Sequence, residues 1–381
     1  MAAKFDYTTT IRRLSFNYPL LPTLVTQIVF WCICYAVLGM LIYFNIQGFT
    51  ASYPMAVESN FTPIIFSAIV IGLFYGSMLG IIDFYLLSKW SKGKSLGRLI
   101  FLKTMVYFIA LLIIFAFIQF IFWQPVFLPI YFPKAAIFND KAWSNYFLML
   151  AVFTLLMNLF ISVFTQINKK FGPGVLLPFI LGKYVQPQIE ERAFIFLDLK
   201  SSTTHAENLG HKQYSQLIRD CFLDINNVST SYNAEIYQYV GDEVVLSWLV
   251  NKRMNIAACF DFYFECQKVF QQRKKYYHDK FGLLPEFKAG LHCGIVTCVE
   301  VGDIKREIAY HGDPLNVAAR ILAKCNENNA DIIFTSSIQE KIDSLSYAYE
   351  EIGHVLLKGK NKPVLIYKIS EGRTLNLPGN S

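Results

Sequence analysis

The sequence predicts two folds in one chain: a multi-pass α-helical membrane domain, then an α+β domain with a mainly antiparallel sheet and flanking helices. Three observations carry that expectation. Four long apolar stretches fall before residue 170 and none of that kind after it. The chain is 54% hydrophobic and only 17% charged, a shift away from soluble proteins. From about residue 190, strand-like and helix-like patterns alternate.

The apolar stretches run over 24–46, 63–87, 99–123 and 147–167. Each is about 20–25 residues, enough at 1.5 Å per residue to cross a ~30 Å hydrocarbon core. Four buried helices of that length in a soluble core would leave too little polar surface over residues 1–167. The first stretch is too long for a signal peptide and no small-residue cleavage site follows it. Lys4, Arg12, Arg13, Lys89, Lys92, Lys94, Arg98, Lys169 and Lys170 fall on one side, while the opposite loops hold only Lys134 and Lys141. The positive-inside rule then puts both termini, and the domain that follows, in the cytoplasm of a cell or inner-membrane protein. The second outer loop, 123–138, is crowded with aromatic residues and reads as interfacial. Both outer loops are too short to form a ligand-binding domain.

Polar residues within the spans need their own reading. Asp83 and Lys103 lie near the cytoplasmic ends of adjacent spans, where they either pair or snorkel to the interface. No histidine precedes His205, which removes the commonest axial ligand of a membrane haem. Asn60-Phe-Thr62 fits a glycosylation acceptor only on a eukaryotic secretory route. Gly93-Lys94-Ser95 imitates the end of a P-loop, but Ser88 stands at the first glycine position and no strand precedes it.

The stretch 168–191 reads as a cytoplasmic linker. Gly172, Pro173 and Gly174 break any helix leaving the fourth span, and the apolar patch 175–181 follows. It is suited to lie on the membrane, on the next domain or against its copy. The domain at 192–370 opens with a buried strand at 192–199, followed by a helix over 204–232. The stretch 234–248 reads as two strands around a turn at Gly241-Asp242. A helix over 255–278, a strand pair within 287–302 and a helix over 314–326 come next. Strands near 332–334, 354–357 and 364–369 precede a tail at 371–381.

Two carboxylates stand at strand edges in this domain. Asp198 ends a buried strand, and the hydroxyl run Ser201-Ser202-Thr203-Thr204 then opens a helix. Asp242 sits in the hairpin turn. A lone strand-end aspartate is usually a solvated turn or cap. Two of them beside a helix N-terminus suit a hard divalent metal and a phosphate group.

These residues resemble class III nucleotidyl cyclases, the adenylyl and guanylyl cyclase catalytic domain. The resemblance covers about residues 192–370 and rests on FLDLKSST (196–203), YVGDEV (239–244), GLHCGIVTCVEVG (290–302), HGDPLNVAARI (311–321) and LKGK (357–360), in family order and spacing. It implies a ferredoxin-like, palm-like sheet. It further implies that Asp198, Asp242 and the Leu199 carbonyl hold two divalent metal ions, Mg²⁺ or Mn²⁺, and that amides around Ser201, Ser202 and Thr203 cradle a triphosphate. Asn316 then orients the ribose, Arg320 stabilises the pentavalent phosphate, and Lys358 holds the terminal phosphates. In the family, the metal aspartates and the Asn/Arg pair at one site come from opposite subunits, which implies a head-to-tail homodimer.

The base-reading positions are where this chain departs from the family. They hold Gln238 and Ala309, in place of the Lys with Asp, Thr or Ser of adenylyl cyclases or the Glu and Cys of guanylyl cyclases. A glutamine amide can meet an adenine edge and can also turn to guanine or cytosine. ATP is favoured because the guanylyl pair is absent, with GTP, CTP or UTP as alternatives. A diguanylate cyclase also carries a Gly-Asp-Glu turn, but Val240 stands where that family has the first of two glycines. A non-catalytic nucleotide-binding receptor or scaffold is the remaining reading. Six cysteines after residue 220, none in CxxC spacing, read as reduced thiols. His292 reads as a structural strand residue and Arg273-Lys274-Lys275 as a solvated helix face.

The net charge of +7 fits this division. Residues 1–167 carry ten Lys and Arg against four Asp and Glu, and residues 168–381 carry 25 against 24. The charge is therefore a topology signal facing a lipid bilayer, and it does not call for a nucleic-acid partner.

Overall fold

The computed structural model describes residues 18, 20–52, 60–87, 95–117, 140–171, 176–251, 254–342 and 347–371. The chain divides into two compact units near residue 176. In the first, helices α1 (Leu20–Ser52), α2 (Phe61–Ile82), α3 (Leu96–Phe117) and α4 (Asp140–Phe171) form a bundle. All four are long and apolar enough to cross a membrane. They overrun the expected spans at most ends, because a helix continues past the hydrocarbon region wherever nothing breaks it. The basic residues 89, 92 and 94 and the aromatic loop 123–138 lie outside the described residues, as does the end of the third span beyond Phe117.

A glycine stripe brings α1 and α2 together. Gly72, Gly76 and Gly80 lie four residues apart on α2, and a Cβ at Gly76 would sit 2.7 Å from the Ile28 Cα of α1. Small residues at this spacing let helix backbones approach closely in a bilayer, where no hydrophobic effect drives helices together. Apolar side chains such as Val29, Ile33, Phe44 and Phe74 point outward, and the polar ones point in. Asp83 starts a π-helical turn, Asp83–Leu87, that extends α2. Its carboxylate is 2.8 Å from Lys103 Nζ of α3, and both residues are buried. The pair therefore forms, and Lys103 does not snorkel. Gln27 of α1 donates to Asp83 at 2.8 Å and Trp31 donates to Gln27 at 3.1 Å. Asn158 of α4 donates to the Tyr75 hydroxyl, which donates to the Tyr107 carbonyl of α3, both at 3.0 Å. Polar groups of all four helices thus satisfy one another where lipid could not.

The second unit opens with a short helix, α5 (Leu176–Ile180), over the apolar patch of the linker. Its eight-stranded sheet has the order β2-β3-β1-β4-β6-β8-β7, with β5 paired to β4. The strands are β1 (Gln188–Leu199), β2 (Glu235–Val240), β3 (Glu243–Leu249), β4 (Phe287–Val301), β5 (Glu307–His311), β6 (Ile332–Thr335), β7 (Ala348–Val355) and β8 (Val364–Glu371). Every pairing is antiparallel except β4 with β6. β1 is central and buried on both faces. Ala193, Ile195, Leu197 and Leu199 face one core with α6 (Ser202–Ser231) and α7 (Ala258–Gln272). Phe194 and Phe196 face the other, with α9 (Asp313–Ala323). That two-sided burial is why β1 reads as a continuous apolar run.

Five local expectations are corrected. β1 starts at Gln188 rather than 192, because Gln188–Glu191 pair with Ile295–Cys298 of β4. The expected strand pair within 287–302 is one long strand, β4, whose hairpin partner is β5. The expected helix over 255–278 is two, α7 and α8 (Lys274–Phe281), interrupted at Arg273. Of the expected solvated face, Lys274 and Lys275 are exposed, whereas Arg273 is half-buried, pairs with Asp224 and lies 4.3 Å from the Tyr276 ring centroid. The strand expected at 354–357 is β7, ending at Val355. All eight cysteines are free.

Candidate active site

β1 delivers Asp198 at its C-terminal end. Its register partners are Glu243 on β3 and Lys288 on β4, so one row crosses three strands. The β2–β3 turn presents Asp242, and Gly241 before it has φ 62°, as the first central residue of a tight hairpin turn often requires. Burial first, then the Asp242 charge, raises the Asp198 pKa, although Lys288 Nζ opposes this from 3.2 Å. Glu243 is pushed up to about 7 by burial and by the charges of Asp198 and Asp242. The three carboxylates therefore repel one another.

Just beyond Asp198 the chain turns into α6. Ser201 is a non-glycine residue at φ 54° and makes no side-chain cap. The amides of Ser202 and Thr203 are left without a hydroxyl cap from Ser201, and such uncapped first-turn amides suit an anion. The Leu199 side chain is buried in the core, so only its backbone can serve the site. Tyr214 is a neighbour that spacing did not reveal. Burial and then the Asp242 charge raise its pKa, and a hydrogen bond from Ser202 opposes them. It follows a break at Gly210 (φ 69°) that divides α6, and no motif marks it.

A second group of residues gathers around α9. The helix packs so closely on β4 that a Cβ at Gly290 would meet the Ala318 carbonyl at 2.5 Å. Asn316 is exposed on α9 and Arg320 is half-buried one turn later. Turn 357–360 closes through a Lys360 N–H to Leu357 carbonyl bond of 3.0 Å, and Leu357 is buried beneath it. A Cβ at Gly359 would lie 3.7 Å from Arg320 Nη2, so the turn that carries exposed Lys358 passes beside Arg320. Lys360 pairs with Asp313 in the first turn of α9 and holds the turn there. Gln238 is exposed on β2 and Ala309 is half-buried on β5. Their neighbours Tyr237 and Tyr310 meet with ring centroids 4.7 Å apart, which brings together the strands that carry Gln238 and Ala309. Among the described residues, no hydrogen bond or ion pair joins Asp198 or Asp242 to Asn316, Arg320 or Lys358.

The aspartate edge fits a divalent cation by its chemistry. The donors are carboxylate oxygens, the hard ligands Mg²⁺ and Mn²⁺ take, and their mutual repulsion is what a cation relieves. Among the described residues, no cluster of three or more His, Cys, Asp or Glu is already arranged as a metal site. One Asp198 oxygen faces Lys288 instead.

Residues 184–371 match the family model described as adenylate and guanylate cyclase catalytic domain. Adenylate cyclase 2 of Rhizobium meliloti (strain 1021) is 26% identical over 208 residues, 54% of this chain and 57% of that protein. The chain thus spans just over half the length of that relative. A solved bacterial light-regulated adenylyl cyclase aligns over 58% of this chain and 65% of its own, with TM-score 0.50 and 21% identity. The adenylyl cyclase CyaB of P. aeruginosa aligns over 50% and 98%, with TM-score 0.44 and 18% identity.

Proposed function

Because residues 184–371 belong to the adenylate and guanylate cyclase catalytic domain family, we propose that this chain is a membrane-anchored adenylate cyclase converting ATP to 3′,5′-cyclic AMP and pyrophosphate. The observation that carries this reading is that one domain holds both a repelling aspartate edge (Asp198, Asp242) and a cationic lip (Arg320, Lys358). Together they supply the two charge environments a cyclising triphosphate needs.

The chain's own residues divide the work. Asp198 and Asp242, with the Leu199 carbonyl, hold two divalent metal ions. When bound, those ions acidify the ribose 3′-hydroxyl and offset charge at the α-phosphate. Amides at Ser201, Ser202 and Thr203 cradle the triphosphate, and Lys358 steadies its terminal phosphates. Asn316 orients the ribose so that the 3′-oxygen lines up with the α-phosphorus. Arg320 donates to the oxygens whose charge grows as that oxygen attacks and pyrophosphate leaves. Gln238 meets the base, with Ala309 leaving room beside it. The aspartate and Asn/Arg groups at one site come from two copies in a head-to-tail dimer, a reading that rests on the resemblance to the cyclase family. The apolar helices α1–α4 anchor the enzyme in the membrane with both termini cytoplasmic.

The test is incubation of the purified chain with ATP, GTP, CTP or UTP and Mn²⁺, with products identified by mass. Cyclic AMP from ATP is the expected product. Cyclic di-GMP or a linear dinucleotide from GTP would overturn the reading in favour of a diguanylate cyclase. No product from any nucleotide would favour a nucleotide-binding receptor.

A further inference from the structure

The most buried cation of the catalytic unit has no part in the chemistry above. Arg192 is 2% exposed, at a depth where a guanidinium persists only if its donors are matched. Its Nε donates to Glu190 Oε2 at 2.9 Å. Its Nη1 donates to Glu235 Oε2 at 2.9 Å and to Ser247 Oγ at 3.0 Å. Its guanidinium carbon lies 4.7 Å from the Tyr310 ring centroid, and the Tyr310 hydroxyl donates to Glu235 at 3.4 Å. Glu190 is also met by Lys183 Nζ at 3.3 Å, so the cluster holds two cations and two carboxylates. Burial alone would raise the Glu190 pKa, but Arg192 and Lys183 together bring it below the ordinary value.

The placement of these partners is what matters. Glu235 lies on β2, three residues before Gln238, and Tyr310 lies on β5, next to Ala309. β2 and β5 are not hydrogen-bonded neighbours in the sheet. The backbone ladder joins them only through the intervening β3, β1 and β4, and the Tyr237–Tyr310 ring contact with Arg192 beneath it is a direct side-chain link between them. The gap between Gln238 and Ala309 is therefore set by these side chains as well as by the sheet. An arginine fork clamped between two carboxylates and a ring is a rigid spacer, which a flexible lysine would not replace.

We propose that Arg192 is a positioning residue for base selection: by linking Glu235 on β2 to Tyr310 on β5, it sets the spacing across which Gln238 and Ala309 receive the nucleotide base. The same clamp includes Glu190, so the stretch that leads into the domain is tied to the base-reading strands. This rests on Gln238 and Ala309 meeting the base, and the test separates the two ideas.

Initial rates of the purified full-length protein are measured with ATP, GTP and CTP. Because a lone Arg192→Met would take the guanidinium away from the Glu235 carboxylate, the main variant is Arg192→Met with Glu235→Gln, leaving Glu190 paired to Lys183. It is expected to raise KM for the preferred nucleotide about tenfold and to shrink the selectivity ratio about fivefold, with kcat changed less than about threefold. Tyr310→Phe keeps the ring and loses the hydroxyl link, and is expected to move the ratio the same way by about twofold. Arg192→Lys should recover only part of the selectivity. Gln238→Lys is the control for base reading, expected to change the ratio by itself. The clamp is overturned if Gln238→Lys moves the ratio while the Arg192 and Tyr310 variants do not. It is equally overturned if kcat and thermal stability fall together at constant selectivity, the mark of a structural role. If Gln238→Lys also leaves the ratio unchanged, the base is read elsewhere and the clamp falls with that reading.

Discussion

Each half of this protein buries an ion pair, and the two pairs are surrounded in opposite ways. In the helical half, Asp83 and Lys103 are enclosed by side chains, with Gln27 completing the contact, and many further apolar side chains face outward around an apolar and aromatic interior. In the catalytic half the apolar residues fill two cores on either side of the sheet. The charges that the motifs single out stand at the rim, while Arg192, Asp220 and Asp224 lie deep with their partners. Water decides the difference. The catalytic half leaves Asp198, Arg320 and Lys358 at least partly open to solvent, whereas a helix in lipid is driven to pair its polar groups within the bundle. The same residue types are therefore structural in one half and available for chemistry in the other.

The largest effect that would break this contrast is on turnover. Asp198→Asn and Arg320→Ala should each lower activity by about 10²–10⁴, since each would remove the charge stabilisation proposed for it in the transition state. Thermal stability should change little, because neither side chain is buried deep in a core. Co-expression of the two variants should restore activity, as a mixed dimer rebuilds one intact site. Failure of rescue at normal expression would sink the shared-site dimer.

The next largest effect is on the folding of the helical half. Asp83→Leu leaves the Lys103 ammonium buried without its carboxylate, and losing one partner of a buried pair costs about 3–5 kcal/mol. Adding Lys103→Met should recover most of that loss, because two apolar side chains suit the bundle. Thermal unfolding in detergent, compared among the single, double and parent proteins, reads this directly. A double variant no more stable than Asp83→Leu would mean that the pair itself holds α2 against α3.

Both halves were legible in the sequence to different depths. The spans could be read because an unbroken run of about twenty apolar residues suits little besides a hydrocarbon core, and β1 because burial on both faces leaves an unbroken run. The long β4 could not be read as one strand, since Gly294 and the polar Thr297 suggest a turn that pairing with β1 overrides. Asp198 and Asp242 stood out as carboxylates at strand edges, and Asn316 and Arg320 through the resemblance to the cyclase family. Arg192, Glu190 and Tyr214 did not, because their significance lies in what tertiary packing brings to them. The Gly72–Gly76–Gly80 stripe was visible in principle, as its four-residue spacing is a sequence feature with a packing meaning in lipid.

The smallest effect concerns a polar side chain that the catalytic half buries without a charge. His292 lies on β4 between the two glycines that face α9, and its Nδ1 is 2.7 Å from Thr335 Oγ1. Burial lowers its pKa to about 4; Asp313 opposes that shift and Lys360 adds to it. An unfolded histidine titrates near 6.5, so as pH falls below that value the unfolded chain takes up the proton first. The stability that neutral His292 contributes is complete above about pH 6.5 and is lost progressively as pH falls toward 4. A shift of that size is worth up to about 3 kcal/mol, less whatever solvent access relaxes. His292→Gln keeps an amide for Thr335 and Ser337 but cannot titrate there. In a fragment of residues 177–381, where buried Trp248 is the lone tryptophan, urea unfolding followed by fluorescence should weaken with acid in the parent and less so in the variant. Equal slopes between pH 6.5 and 4.5 would mean that His292 is protonated inside the fold, and that this half also tolerates an unpaired buried charge.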